Sequence, residues 1–447
     1  MEAFVNNMSF DRFHNMVDDF IVFIAEKIGN NMCEQGLEYP EIQRLIKNPP
    51  KDPPYDLVIT EVFSAHCFMA FGRHLKVPVI GVSSSVLYPW SHDYVANPEN
   101  FAFVPNNMLE DISEMNYWNR LYNFVHATYW KLYFNYYTSY QSELIKKHFG
   151  ADMPGVHELE RELALILTNS HMALNGVKPT TPALVEVGGL HVQDEDVEIP
   201  KEHQKWLDES NDGFVCFTFG SMVTIESFPK HILQILYKSL GKISPIRVFM
   251  KVPKPELLPP GLPENIRTFD WISQLKVLKH KNIRAFITHG GLMGTQEAVS
   301  YGVPMISIPL FGDQFMNTKL YVKKKIAISL DYQDLTEEKL DKALHEVLHN
   351  PIYKETAKRI SDQFLDRTLS PLDEACFWVE YVIRHGSKAL RSPALDFTWW
   401  QIALLDVYLT LIIISLIVLS IAIYIVQLLI SIINGNSQDY TTSKKTN

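Results

Sequence analysis

Residues 286–314 read FITHGGLMGTQEAVSYGVPMISIPLFGDQ, and this stretch decides the fold. An apolar strand at 285–288 ends in a His289-Gly290-Gly291 turn, a helix begins at about Leu292, and a strand at 305–308 ends in a polar loop. Strands that alternate with helices predict a doubly wound α/β domain. Ligands of such domains bind beyond the carboxyl ends of the strands, so this turn and this loop are candidate site segments.

The same alternation extends in both directions from this stretch. In the N-terminal half, a strand at 56–60, a helix at 63–75 and a strand at 77–83 have the spacing of a parallel β-α-β unit. The predicted fold is therefore α/β, with two Rossmann-like doubly wound domains that face a cleft and a closing helix able to cross back to the first. The remaining predicted strands are 163–169, 184–187, 214–218, 247–250, 266–269 and 327–330, and the remaining helical stretches are 10–48, 115–149, 336–349 and 351–385.

Polar and glycine residues cluster after three strands of the second domain. A Gly-Gly turn that opens a helix presents free backbone N–H groups and a positive dipole end, which suits a phosphate. His289 can donate a hydrogen bond to the same anion, and Ser221, after the first strand of this domain, can donate another. Taken singly, each residue has a structural interpretation: His289 as a turn residue, Trp271 as core, Glu297 as a solvated helix face and Asp313 as a helix N-cap.

The combination resembles the UDP-glycosyltransferase superfamily, in its membrane-bound animal, insect-like branch of glucuronosyl- and glucosyltransferases. The residues that carry the resemblance are 286–314, preceded by Trp271-Ile272-Ser273-Gln274, and the KWLDES and FTFGSM segments agree with it. The resemblance implies a GT-B arrangement of the two domains and covers essentially the whole chain. Two departures are visible: Ser273 replaces the usual proline, and Met293 stands where many relatives have asparagine.

The resemblance also implies a role for each motif residue. The donor is a UDP-sugar, and glucose, glucuronic acid and other hexoses remain open as the sugar. No cofactor and no metal are expected, because the helix dipole and side chains can do what a metal would. The implied UDP-binding residues are Ser221, Trp271 (on uracil), Gln274, His289, Gly290, Gly291, Gly294 and Glu297 (on ribose), and Asp313 and Gln314 are implied to bind the sugar.

The implied reaction is inverting transfer, which needs a base for the acceptor hydroxyl. In the family this base is a histidine near the first strand, oriented by a carboxylate at the end of a later strand. Glu61, directly after the strand at 56–60, matches the carboxylate, whereas no histidine matches the base. His14 and His66 are the nearest histidines, and neither is expected to serve. We therefore expect a chain that begins after the strand carrying the base.

Composition excludes several other classes of protein. The net charge of −10 argues against nucleic-acid binding. Four widely spaced cysteines without a CxxC pair argue against a zinc ribbon and a disulfide scaffold. A nicotinamide dehydrogenase would need GxGxxG after a first strand, which is lacking.

Residues 409–433 form an uncharged apolar run, long enough to cross a bilayer as a helix. Lys444-Lys445 near the end resemble a dilysine retrieval signal, or form an ordinary basic tail. Either interpretation places the tail in the cytosol and the bulk of the chain in the lumen, where the sequon at Asn7 would fit. The expected location is the endoplasmic reticulum membrane, as a single-pass type I protein. No signal peptide is recognisable at the start.

Together these features predict an enzyme that transfers a hexose or glucuronic acid from a UDP-sugar to a hydroxyl of a small lipophilic acceptor, as in detoxification. The alternative is a truncated, inactive UDP-sugar-binding membrane protein that modulates full-length relatives, as homo- or hetero-oligomers. The predicted segments are an acceptor-binding domain (1–190), a linker (191–212), a UDP-sugar-binding domain (213–390), a juxtamembrane segment (391–408), the span (409–433) and a cytosolic tail (434–447).

Overall fold

The computed structural model describes residues 9–11, 20–50, 52, 55–109, 114–193 and 199–443. The chain divides into two compact units, Met1–Arg391 and Ser392–Asn447. The first unit holds two parallel sheets, one in each half of the sequence.

The N-terminal sheet has four parallel strands in the order β1-β2-β3-β4. Its third strand is buried on both faces, which fits a continuous apolar run and helices on both sides. Glu61 ends β1 and lies opposite Val82 of β2. The four strands are β1 (Val58–Glu61), β2 (Val79–Ser83), β3 (Leu165–Thr168) and β4 (Leu184–Glu186).

Helices surround this sheet, and the longest is rich in aromatic residues. A π-helix (Phe23–Asn30) links the first two helices, and two 3-10 segments (His66–Met69 and Pro89–Val95) follow β1 and β2. The helices are α1 (Phe20–Val22), α2 (Asn31–Glu38), α3 (Pro40–Lys47), α4 (Ala70–Leu75), α5 (Tyr117–Thr138), α6 (Gln141–Phe149), α7 (Val156–Glu160) and α8 (Met172–Asn175).

The C-terminal sheet has six parallel strands in the order β10-β9-β8-β5-β6-β7. Chain order runs outward in both directions from β5 and β8, so their shared boundary is the topological switch point, where ligands of doubly wound sheets bind. Its strands are β5 (Phe214–Phe217), β6 (Arg247–Lys251), β7 (Ile266–Phe269), β8 (Ile283–Thr288), β9 (Met305–Ser307) and β10 (Ala327–Ser329).

The helices of this half cover both faces of the six-stranded sheet. Helix α9 lies within the expected linker, and its Leu207 is buried in the cluster that contains Phe214 and Phe249. Two 3-10 segments (Ile225–Ser227 and Pro255–Leu257) follow β5 and β6. The helices are α9 (Lys201–Asp208), α10 (Lys230–Lys242), α11 (Gln274–Lys279), α12 (Leu292–Ser300), α13 (Gln314–Lys323), α14 (Glu337–His349), α15 (Pro351–Leu365) and α16 (Pro371–His385).

Helix α16 returns to the N-terminal sheet, as the sequence predicts. Its Ala375 and Val382 pack with Ile80 and Leu165 of that sheet. The single helix expected over 351–385 is wrong, because α15 ends at Leu365 and α16 starts anew at Pro371. Proline favours the first turn of a helix and cannot continue one.

The second unit contains a long apolar helix, α18 (Leu405–Ser443), preceded by a 3-10 segment (Pro393–Asp396) and by α17 (Trp399–Ile402). Residues Leu405–Ile433 of α18 are long and apolar enough to cross a bilayer, and none of that window is buried within the protein. A core helix of a soluble domain would be buried, so this helix needs an apolar environment from elsewhere.

Most element predictions are confirmed, apart from the helix at 351–385 discussed above and the helix at 63–75. All ten predicted strands occur, with ends within two residues of those expected. The helix expected over 63–75 is a 3-10 segment followed by the short α4. Cys33 and Cys67 form one disulfide, which the cysteine spacing did not predict. The two residues are far apart in sequence and meet through the packing of α2 against the segment after β1.

Some predicted features lie outside the described residues. These are Asn7 of the sequon, His14 and the Lys444-Lys445 pair.

Candidate functional site

The turn after β8 lies against the turn after β5, at the switch point of the C-terminal sheet. His289 lies between two glycines: a Cβ on Gly220 would come within 3.0 Å of its ring, and one on Gly291 within 2.8 Å. Gly220 and Gly290 also have φ of +75° and +83°, which favour glycine. These three glycines therefore allow the close contact of the two turns.

His289 is neutral near pH 7. Burial, and secondly the nearby charge of Lys251, together lower its pKa to about 4. A neutral imidazole can donate one hydrogen bond to an anion but brings no positive charge.

Helix α12 begins directly after this turn, with Gly291 as its N-cap and no side chain capping its first amides. Uncapped N–H groups and the positive end of a helix dipole form a site for an anion. The exposed Met293 lies in this first turn, and its carbonyl accepts a hydrogen bond from His191 at 3.0 Å. The helix N-terminus is thus held in place from the opposite half of the chain.

Glu297 lies one turn further along α12 and is held by Gln274, with His191 nearby. Gln274 donates a hydrogen bond from Nε2 to Glu297 Oε2 at 2.5 Å, and His191 Nε2 lies 3.7 Å from Oε1. Gly294 leaves room for Gln274, since a Cβ there would lie 2.9 Å from its Nε2. A carboxylate fixed in this way can accept hydrogen bonds from two neighbouring hydroxyls.

Trp271 follows β7 on the same edge of the sheet. Its side chain is 56% exposed, so the alternative interpretation as a core residue is wrong. The ammonium of Lys251 lies 5.3 Å from its ring centroid and also donates to Gly220 O at 2.8 Å. Ser221, the next residue, is exposed. The exposed indole offers a flat surface on which a base can stack.

Asn317 of helix α13 links the His-Gly-Gly turn to the loop after β9. The Asn317 amide donates to Gly290 O at 3.2 Å and to Asp313 Oδ2 at 2.8 Å. Asp313 makes no N-cap hydrogen bond, so the capping interpretation is not supported, and burial raises the pKa of its carboxyl group. Gln314 is buried, and its Oε1 accepts from the amides of Leu310 and Phe311.

Glu61 lies at the carboxyl end of the N-terminal sheet. Its Oε1 accepts from Ser84 N at 3.2 Å and from Ser84 Oγ at 2.5 Å. Burial raises the pKa of Tyr88, and the carboxylates of Asp313 and Glu61 raise it further. Two carboxylates from opposite halves of the chain therefore act electrostatically on one buried phenol.

No histidine is a hydrogen-bond partner of Glu61 in the part of the chain that the structure describes. His66 is fully buried, and its Nδ1 pairs with Glu160 Oε1 at 2.6 Å, inside the N-terminal core. This geometry makes His66 a structural residue and agrees with its exclusion as the base.

Three residues of this region could not be identified as part of the site from the sequence. Lys251 and His191 lie outside any recognisable motif, and only the folded sheet brings them to the site. Tyr88, the third, also lies outside any motif and stacks on Trp90, a core residue that stacks in turn on Phe134. Within the described ranges no group of three or more metal-binding side chains occurs, and the metal-free reaction stays a prediction.

Comparison with known proteins agrees with this arrangement. The family described as "UDP-glucoronosyl and UDP-glucosyl transferase" matches residues 11–435. UDP-glycosyltransferase UGT5 of Dactylopius coccus is 37% identical over 88% of this chain and 75% of its own length. Human UDP-glucuronosyltransferase 1A8 is 30% identical over 80% of this chain and 66% of its own.

Solved structures show the same fold. The glycosyltransferase of kitacinnamycin has a TM-score of 0.56 over 82% of this chain and 84% of its own, at 16% identity. Spinosyn forosaminyltransferase SpnP has a TM-score of 0.51 over 74% of this chain and 76% of its own. With two parallel sheets in the GT-B arrangement and a family match over nearly its whole length, the chain belongs to the UDP-glycosyltransferase family.

Proposed function

We propose that this protein transfers a hexose or glucuronic acid from a UDP-sugar to a hydroxyl of a small lipophilic acceptor, with inversion at the anomeric carbon. One observation carries the proposal: the turns after β5 and β8 meet at the switch point, beside an uncapped helix N-terminus and an exposed tryptophan. Together with Glu297, these groups match the three parts of a nucleotide, namely phosphate, ribose and base.

We assign the nucleotide contacts as follows. Trp271 stacks on uracil, with Gln274 beside it, and Glu297 holds the ribose hydroxyls. The diphosphate lies at the turn formed by Gly290 and Gly291, and its growing negative charge in the transition state is stabilised by backbone N–H groups. Ser221 and His289 donate side-chain hydrogen bonds to it, and Gly294 permits the approach.

We assign the transferred sugar to Asp313 and Gln314. The contact from Asn317 to both Asp313 and Gly290 supports this, because it joins the sugar loop to the phosphate turn. Since Gln314 Oε1 already accepts two loop amides, its NH₂ group is the part assigned to a sugar hydroxyl.

We assign residues 1–190 to acceptor binding and residues 213–390 to the donor, joined by 191–212. Glu61 is the carboxylate that would orient a base for the acceptor hydroxyl. Its present partner in the described residues is Ser84. This observation also favours the second candidate function, a UDP-sugar-binding protein without efficient transfer that modulates relatives.

We further propose a single-pass protein of the endoplasmic reticulum membrane, with Leu405–Ile433 as the span and the bulk in the lumen. The Cys33–Cys67 disulfide supports this, because disulfides persist in oxidising compartments and are rare in the cytosol. The Lys444-Lys445 pair would then lie in the cytosol as the retrieval signal.

The donor site is tested by isothermal titration of UDP into His289→Ala and Glu297→Ala. Each variant loses one contact to a charged group, worth about 1.5–3 kcal/mol, so the affinity should fall about tenfold to a hundredfold. His345→Ala and Glu338→Ala, both on helix α14, are the matched controls and should bind as the wild type does. Unchanged affinity in both site variants would contradict the assignment.

A further inference from the structure

Lys251 is the last residue of β6 and is only 5% exposed. Lysine is almost never buried to this degree unless its charge is compensated. Its Nζ donates to Gly220 O at 2.8 Å and lies 5.3 Å from the Trp271 ring centroid. The strand therefore delivers an ammonium group between the β5 turn and the exposed indole.

This position lies between the two ends of the proposed nucleotide site. Gly220 directly precedes Ser221 and contacts the His289 ring, which are both assigned to the diphosphate. Trp271 is assigned to uracil. A cation that touches both neighbours is within reach of the phosphates that connect base and sugar.

The charges of the site also require such a group. The diphosphate of a UDP-sugar brings two negative charges, whereas His289 is neutral near pH 7 and a helix N-terminus supplies only about half a positive charge. Burial lowers the pKa of Lys251, the nearby carboxylate of Glu226 opposes this by favouring the charged form, and the resulting pKa is about 8. A bound anion would favour the ammonium further.

We propose that Lys251 is a donor-binding residue, whose ammonium pairs with the diphosphate of the UDP-sugar while it holds the Gly220 carbonyl. This inference rests on the proposed function, because it names one more contact of the same donor site. It makes Lys251 the main source of positive charge among the side chains assigned to the diphosphate.

The test compares UDP with uridine, which lacks the phosphates. Lys251→Gln keeps a hydrogen-bond donor for Gly220 O but removes the charge, and Lys251→Arg keeps the charge. Lys254→Met is the matched control, because Lys254 is exposed and lies three residues away. Affinities of the full-length protein in detergent are measured by titration for UDP and by displacement for uridine.

Lys251→Gln should weaken UDP binding about tenfold to a hundredfold. The affinity for uridine should change less than twofold. Lys251→Arg should recover most of the UDP affinity, and Lys254→Met should bind both ligands normally. Equal losses for UDP and uridine would overturn the proposal, since they would mean that Lys251 only positions Trp271. Unchanged UDP affinity in Lys251→Gln would also overturn it.

A parallel titration of His289→Ala separates the two proposals. If His289→Ala weakens UDP and Lys251→Gln does not, only the inference about Lys251 fails. If neither variant weakens UDP, the donor site itself is wrong. If Lys251→Gln does not fold, the titration of Lys251→Arg tests the proposal instead. That variant keeps the positive charge, so a loss of UDP affinity in the folded protein would contradict a role based on charge.

Discussion

The two sheets present different chemistry at their carboxyl edges. In the C-terminal sheet, the ends of β5, β6 and β8 and the helices that follow are joined by short contacts, such as Lys251 to Gly220 and Gln274 to Glu297. In the N-terminal sheet, the corresponding edge offers Glu61, bound to Ser84, and the buried Tyr88. We therefore expect the proposed donor site to be preorganised. We expect activation of the acceptor to need groups that the described N-terminal edge does not bring to Glu61.

The largest expected effect concerns transfer itself. We expect this protein to bind UDP but to transfer sugar slowly, because general-base assistance contributes about 10²–10⁴-fold and Glu61 contacts no histidine in the described ranges. Product is measured with a model phenol and radiolabelled UDP-glucose or UDP-glucuronate, with and without added imidazole. Imidazole should raise the rate, and Glu61→Gln should reduce this rescue.

Rapid transfer that imidazole does not affect would contradict this expectation. The base would then lie elsewhere, and His14 would be the first residue to change. Glu61→Gln should in either case leave UDP affinity unchanged. Effects on the proposed acceptor site can therefore be distinguished from effects on the proposed donor site.

A core substitution tests whether the two halves are energetically separate. Trp90 is fully buried in the N-terminal half and stacks on Phe134 with ring centroids 4.1 Å apart. Trp90→Ala should lower the free energy of unfolding of that half by about 3–5 kcal/mol, while UDP affinity stays within twofold below the melting temperature. Calorimetry and UDP titration on the same sample measure both.

Trp118→Ala is the control, because Trp118 is 72% exposed on α5 and should leave both quantities unchanged. A parallel loss of UDP affinity in Trp90→Ala would show that the donor site requires an intact N-terminal core.

The smallest effect is a pH dependence of UDP affinity. Lys251 has a pKa of about 8 in the free protein. A bound diphosphate should raise it, so affinity is full below pH 8 and falls as the pH rises through that value. His289, with a pKa of about 4, does not change charge in this range. Burial raises the pKa of Glu226, the carboxyl group that acts on Lys251. From pH 7.5 to 9 the affinity should fall about fivefold to tenfold, and Lys251→Arg should remove this dependence; a flat wild-type profile would contradict it.

The sequence predicted more of the C-terminal half than of the N-terminal half, for a physical reason. Residues 286–314 contain a strand, a turn, a helix and a second strand in succession, so His289, Glu297 and Asp313 are placed by local structure alone. The strands were also predictable, because parallel sheets bury continuous apolar runs.

The features that could not be predicted from the sequence depend on contacts between segments that are far apart in the chain. A lysine at the end of a strand belongs to no sequence motif. Lys251 can therefore be identified as a candidate site residue only when β6 lies beside β5 and β7. The Cys33–Cys67 disulfide and the approach of Tyr88 to Asp313 likewise join residues far apart in the chain. Periodicity and motif spacing report local structure and cannot show which distant segments meet.

The central claim is that the nucleotide binds at the carboxyl edge of the C-terminal sheet. Hydrogen exchange of the full-length protein, followed by mass spectrometry with and without UDP, tests it most directly. We predict slower exchange in peptides that cover 219–222 and 289–297, and unchanged exchange in peptides that cover 58–64 and 83–88. Slower exchange confined to the ends of β1 and β2, with the turn at His289 unchanged, would contradict the claim.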